Sequence, residues 1–149
     1  MGDNAARTAY CGLYCGDCIP SQARLFELLQ ELRGIAAELH LDDYAALIAR
    51  RDEAFRDYAA FEKMLALLSG LRCPAPCRGG GGKPTCAIRE CALDKDFAGC
   101  WECPDRRGCA LLEPLRAFHG GSIDGNLDAV AEHGVEGWAD RRGKHYPWS

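Results

Sequence analysis

The sequence lacks the features of a membrane or secreted protein. No apolar run approaches the ~20 residues of a membrane-spanning helix, and residues 1–7 lack the apolar stretch of a secretory signal. Excess positive charge is also missing: the net charge is -4, which excludes a molecule-wide attraction to nucleic acid or to anionic lipid. We therefore expect a cytoplasmic protein without membrane contact. The charge does not favour nucleic acid as a partner, and the sequence is compatible with an unidentified protein partner.

The sequence is equally short of signals for strands and for catalysis. No segment shows four or more alternating apolar and polar residues, and no internal repeat is present. Spacing alone assembles no nucleophilic set of serine, histidine and acidic residues. The histidines outside ligand-like spacing are His40, His119, His133 and His145. The sequence thus predicts a mainly α protein and assigns it no enzymatic reaction.

Cysteine, by contrast, is abundant, with ten residues in two blocks. In a reducing cytosol, dense cysteines are more often metal ligands than disulfides. The first block has the spacing C-x3-C-x2-C, and the second has C-x3-C, C-x4-C and C-x2-C-x5-C. The candidate metal ligands are Cys11, Cys15, Cys18, Cys73, Cys77, Cys86, Cys91, Cys100, Cys103 and Cys109.

These short spacings suit zinc. Two thiolates two to four residues apart can reach one ion at about 2.3 Å from each sulfur, and structural zinc takes four ligands. Ten cysteines therefore predict about two zinc ions, with two thiols left over. We sketch one site from the first block plus one ligand of the second block. The other site would consist mainly of Cys86, Cys91, Cys100 and Cys103. The spacing leaves this partition open.

An iron–sulfur cluster is the alternative, because it too is held by thiolates alone. The C-x3-C-x2-C run also occurs in radical S-adenosylmethionine enzymes. Those enzymes usually carry an apolar or aromatic residue before the third cysteine, where this chain has Asp17, and need a long barrel that is missing here. Residues 72–116 carry eight basic against six acidic side chains, and we expect the arginines to neutralise the thiolate centres.

We expect a single mainly α domain in which a cysteine-rich, metal-stabilised irregular segment is clamped onto a small helical core. Its segments are an N-terminal cysteine knuckle (1–18), a helical core (19–72), a cysteine-rich metal-binding segment (73–118) and a C-terminal helical tail (119–149). In the core, apolar residues recur at three- and four-residue steps and predict packed helices. The first such stripe consists of Leu25, Leu28, Leu32, Ile35 and Leu39, widened by Phe26 and Leu29.

Local signals predict the helix ends. A charged break is expected at residues 50–52, and short helices are expected over 85–94 and 110–118. The tail should form two short helices because Gly134 and Gly137 interrupt its apolar pattern. The expected N-caps are Ser21, Asp52 and Thr85.

Taken together, the cysteine motifs resemble one prokaryotic family, the domain of unknown function numbered 3795 (DUF3795). The motifs are Y-C-G-L-Y-C-G-D-C from Tyr10, C-A-I-R-E-C-A from Cys86, C-W-E-C from Cys100, and Cys109. The resemblance covers roughly residues 9–115 and implies a zinc-binding domain with no assigned activity. The chain departs from the family pattern at Cys73–Cys77, where C-x3-C replaces an expected C-x2-C. Our overall interpretation is a zinc-binding module with a binding or regulatory role.

Overall fold

A computed structural model describes residues 2–143 and Tyr146, and the protein is mainly α, as the sequence predicts. The α-helices of this part of the chain are α1 (Asp3–Arg7), α2 (Ala23–Glu38), α3 (Leu41–Ile48), α4 (Tyr58–Ser69), α5 (Ala87–Asp94), α6 (Glu113–His119) and α7 (Ser122–Gly137). Short 3₁₀ turns join them. None of the helices in the described residues is both long and apolar enough to cross a bilayer. His145 lies outside the described residues.

The chain forms two compact units. The helical unit spans Gln22–Arg72 and contains α2, α3 and α4. The cysteine-bearing unit consists of residues 2–21 and 73–143 with Tyr146, so it holds all ten cysteines together with the C-terminal tail. That the whole chain is one domain stays a prediction.

The core of the cysteine-bearing unit is built on the tail. Ile123, Leu127 and Val130 lie on one face of α7 and are buried with Trp138 and Leu112. These side chains recur at three- and four-residue steps, which places them on a single helix face. The C-terminal segment therefore supplies the apolar surface that the cysteine-rich loops lack.

Buried polar contacts fix the N-terminal segment to that core. The Trp138 indole N–H donates to Thr8 Oγ1 at 2.8 Å, and the Thr8 hydroxyl donates to the Asn4 carbonyl at 2.7 Å. The Asn126 amide donates to the Gly12 carbonyl at 3.0 Å. Gly12 has φ +82°, and a Cβ there would press on the Leu127 side chain. Glycine is thus required at the turn between Cys11 and Cys15.

The helical unit buries a face other than the one the sequence stripe predicts. Phe26 and Leu29 of α2 pack with Leu65 of α4. The stripe proper is exposed, and its members are Leu25, Leu28, Leu32, Ile35 and Leu39. The apolar periodicity of α2 is correct, but the expectation that this stripe forms the packed face is wrong.

Several predicted boundaries are confirmed and two caps are wrong. The Asp52 carboxylate accepts from the Ala54 N–H at 3.0 Å and caps the 3₁₀ turn Glu53–Asp57, so the break before it is confirmed. Gln22 and Cys86, rather than Ser21 and Thr85, occupy the N-cap positions of α2 and α5, and neither makes a side-chain cap bond. In the tail, two helical stretches meet at a kink at Gly134 (φ 71°, ψ 163°), which confirms the predicted interruption there.

Candidate metal centre

Two of the cysteine motifs fold in the same way. Cys15–Asp17 and Cys100–Glu102 each form a 3₁₀ turn, and the N–H of the following cysteine donates to the first cysteine's carbonyl at 3.2 Å. Cys18 (φ -81°, ψ 122°) and Cys103 (φ -76°, ψ 122°) then leave the turn in almost the same conformation. A C-x2-C turn of this kind turns both thiols to one side, as zinc knuckles require.

The first thiol group, which we call group N, joins the two sequence blocks. Burial raises the pKa of the Cys15 thiol, a backbone N–H of Cys77 lowers it, and neighbouring thiols raise it again. Those neighbours show which cysteines lie near Cys15. Group N consists of Cys15, Cys18, Cys73 and Cys77.

Group N depends on close backbone approach in the second block. The Cys73 N–H donates to the Pro20 carbonyl at 2.8 Å, which attaches the two blocks to each other. The Gly82 N–H donates to Cys73 Sγ at 3.1 Å. A Cβ on Gly81 would collide with the Ala75 carbonyl, so the loop closes over Cys73 only with glycine at this position.

The second thiol group, group C, lines a cavity of about 130 Å³. The pKa of the Cys100 thiol is raised to about 12, first by burial and then by the nearby thiols of Cys109, Cys103, Cys91 and Cys86, because like charges repel. Ile88, Phe97 and Leu112 form much of the remaining wall. Group C consists of Cys91, Cys100, Cys103 and Cys109.

Cys11 lies near members of both groups, and Cys86 lies near Cys11 and Cys100. The pKa of the Cys11 thiol is raised to about 12, mainly by burial and also by the thiols of Cys77, Cys100 and Cys86, against a lowering backbone hydrogen bond from Leu13. The sequence sketch joined Cys11 to the first site and Cys86 to the second. The structure brings Cys73 and Cys77 near Cys15, and it brings Cys109 near Cys100 together with the sketched Cys86, Cys91 and Cys103. The assignment of ligands itself stays a prediction.

The side chains as placed do not form a finished metal site. Among residues 2–143 and Tyr146, no group of three or more histidine, cysteine, aspartate or glutamate side chains has the arrangement that would hold a metal ion. The ten cysteines of this part of the chain are free thiols. The fit to zinc or an iron–sulfur cluster therefore lies in the donor chemistry and the knuckle backbone, not in ligand distances.

Arginines hold the cysteine loops by their backbone carbonyls, which spacing in the sequence could not reveal. Arg89 donates to the carbonyls of Cys77 and Gly81, at 3.2 and 2.9 Å. Arg78 donates to the carbonyls of Thr8 and Ala98, at 2.8 and 2.7 Å. The Arg78 guanidinium also lies over the ring of Trp101. Arg78 therefore bridges segments that are distant in sequence, whereas Arg89 holds the loop that precedes its own helix.

Arg116 and Arg106 hold the loops that carry group C. Arg116 donates to the carbonyls of Cys109 and Arg106, at 3.2 and 2.7 Å, and pairs with Asp124 through two bonds of 3.0 Å. Arg106 donates to the Trp101 carbonyl at 3.1 Å and to Asp128 at 3.2 Å. Its Nε–H is buried without a hydrogen-bond partner among the described residues, and Arg106 is one of the residues that line the cavity of group C.

Tyr146 is a further side chain near group N that the cysteine spacing did not indicate. Burial raises its pKa well above the ordinary value, and the Cys18 thiol, with which it shares a hydrogen bond, raises it further. Its ring packs edge-on against His119 with centroids 5.0 Å apart. The C-terminal segment thus reaches group N as well as the apolar core.

These features define a helical, cysteine-rich protein in which irregular loops gather thiols into two groups against a small apolar core. Residues 7–114 match the family model of DUF3795, described as a protein of unknown function, and the chain belongs to this family. The resemblance drawn from the cysteine motifs is therefore confirmed. No curated protein and no solved structure matches the chain.

Proposed function

We propose that the protein binds about two zinc ions, one at group N and one at group C. The observation that carries the proposal is that the two C-x2-C turns share one backbone conformation and that each lies near further thiols, Cys73 and Cys77 for the first and Cys91 and Cys109 for the second. Four thiolates are the commonest all-sulfur ligand set of structural zinc. The proposal requires the cysteine side chains to move so that the four thiols of each group reach one ion.

Hydrogen-bond donors around the sulfurs support this proposal. Backbone N–H groups reach Cys15 from Cys77 and Cys73 from Gly82. Such bonds stabilise a thiolate and orient it toward a metal. At group C, Arg106 is among the residues that line the cavity, and its positive charge would favour a negatively charged thiolate centre there.

The role we propose is a binding or regulatory module of the reducing cytosol, where free thiols persist. When bound, zinc would supply structural cohesion between loops that have few apolar residues. With four thiolate ligands each site would be closed, which is the pattern of structural rather than catalytic zinc.

Cobalt substitution tests the ligand count directly. Co²⁺ added anaerobically to metal-free protein should saturate at about two ions per chain, with thiolate charge-transfer absorbance corresponding to about four sulfurs per ion. Cys15→Ser and Cys103→Ser should each remove about one ion, from different groups. Saturation at one ion, or charge-transfer absorbance of only two sulfurs per ion, would contradict the proposal.

An iron–sulfur cluster at group C is the second candidate, and the cavity favours it. Its volume of about 130 Å³ is well above the roughly 10–15 Å³ that one water occupies, so the cavity has room for more than a single ion. Anaerobic purification distinguishes the two candidates. Brown protein with iron and acid-labile sulfide supports the cluster, and colourless protein with zinc supports the first candidate.

A further inference from the structure

We infer that the exposed stripe of α2 is a self-association surface, on which a second copy of this chain binds in antiparallel orientation. The stripe, called the α2 seam, lies on the helical unit and is independent of the thiol groups. It consists of Leu25, Leu28, Leu32, Ile35 and Leu39, and their exposed fractions run from 40% to 68%. A row of large aliphatic side chains left this open marks an interaction surface.

The spacing of the seam is that of a coiled coil. Its members alternate three- and four-residue steps, which are the a and d positions of a heptad repeat. Side chains at these positions pack as knobs into the holes of a facing helix. The face that α2 buries within its own unit, with Phe26 and Leu29, is a different one. α2 can therefore pair with another helix while it stays packed on α3 and α4.

Flanking charges favour a second copy as the occupant and set its direction. With Leu25 at an a position, the g positions are Arg24, Glu31 and Glu38. In an antiparallel pair, g positions face each other, so Arg24 of each copy meets Glu38 of the other. In a parallel pair, the g residues would instead meet Leu29 and Ala36, which carry no charge. Only the antiparallel arrangement joins opposite charges.

Alternative local partners do not compete strongly for these charges. Arg24 lies 3.5 Å from Glu27 in the same helix, but both side chains are more than half exposed, and such pairs contribute little. Glu31 would face its own copy, and this repulsion is the one unfavourable charge contact of the arrangement. A neutral side chain at this position should therefore strengthen association.

The size of the seam predicts a weak dimer. The seam spans about two heptads, which is too few for a stable isolated coiled coil. α2 can therefore associate only while the folded helical unit holds it in helical form. Five partly exposed side chains fall short of the roughly 800 Å² per partner of a standard interface. We therefore expect dissociation constants on the order of micromolar.

Sedimentation equilibrium of the full, metal-containing chain under a phosphine reductant tests this inference. Because the reductant prevents intermolecular disulfides, it leaves only non-covalent association. We expect a monomer–dimer equilibrium, and Leu32→Arg should raise the dissociation constant by at least about 100-fold. The matched control is Leu47→Arg, which changes an exposed leucine of α3 and should leave association within about threefold.

Charge variants test the orientation without depending on the apolar substitution. Arg24→Glu should weaken the dimer by about tenfold, and adding Glu38→Arg should restore it. Glu31→Gln should tighten it. The inference is overturned if the parent stays monomeric, if Leu47→Arg dissociates the dimer as strongly as Leu32→Arg, or if the double charge exchange fails to restore association.

Discussion

At the scale of single residues, each thiol group depends on atoms that are not sulfur. Backbone N–H groups reach Cys15 and Cys73, and arginines hold the carbonyls of Cys77 and Cys109. From the sequence, we expected the arginines to neutralise the thiolate centres. In the structure they donate hydrogen bonds to the backbone carbonyls of the loops, since a planar guanidinium can bond two carbonyls at once.

Group membership predicts the effect of single cysteine changes. Cys103→Ser replaces a thiolate with a weakly ligating hydroxyl in group C, so about one metal ion per chain should be lost. Cys86→Ser is the comparison variant: Cys86 lies near Cys100 but is not among the residues that line the cavity of group C, so we expect this variant to keep its full metal content. Plasma mass spectrometry on both variants checks this. Full metal content in Cys103→Ser would overturn the assignment of that residue.

The ion pair of Arg116 with Asp124 should stabilise the cysteine-bearing unit by about 1–3 kcal/mol, because it is bidentate and largely shielded from solvent. A double-mutant cycle with Arg116→Gln and Asp124→Asn, followed by urea unfolding, measures this coupling.

The sign of its pH dependence follows from the Asp124 pKa, which the Arg116 hydrogen bond lowers. The contribution is fully present above the unfolded carboxyl pKa of about 3.9 and is lost only as the pH falls through the lowered value. The coupling should therefore be constant between pH 6 and 8. A coupling near zero, or one that changes across this window, would contradict the account.

At the scale of elements, the sequence predicted those features that depend on residues close to one another in the chain. The break capped by Asp52 and the kink at Gly134 depend on near neighbours, and both are confirmed. The prediction of which face of α2 is buried was wrong because apolar residues cover more than one side of this helix. Periodicity alone cannot decide which side meets α4. The contact of Arg78 with the Thr8 carbonyl joins residues far apart in sequence, and no local pattern predicts it.

The kink in α7 gives a prediction for this element. Gly134 has φ 71° with ψ 163°, a region open essentially to glycine alone, so Gly134→Ala should destabilise the protein by about 1–3 kcal/mol. Gly125→Ala is the matched control: a Cβ at Gly125 meets no atom, and the residue lies in regular helix. It should stabilise the protein by about 0.4–1 kcal/mol. Thermal unfolding of both variants measures these changes in stability. Equal changes would show that the kink does not require glycine at position 134.

At the scale of the whole molecule, the two units differ in what can hold them together. The helical unit has an apolar cluster of its own, whereas the loops of residues 73–109 contribute few buried apolar side chains. We propose that metal holds these loops together, along with the arginine hydrogen bonds and the apolar face of α7. Removal of the metal should therefore affect the two units unequally.

Chelation followed by amide hydrogen exchange measures this difference. A strong zinc chelator should speed exchange across residues 73–109 by at least about tenfold, while α2 and α4 keep their protection. Readdition of zinc should restore slow exchange. Slow exchange in the cysteine loops of metal-stripped protein would show that they fold without metal.

Elemental analysis of the purified protein tests the central claim most directly. Protein prepared anaerobically under reducing conditions, and never exposed to added metal, should be colourless and contain about two zinc ions per chain. Zinc well below one ion per chain, with either no other metal or iron accompanied by acid-labile sulfide, would contradict the claim that the two thiol groups are zinc sites.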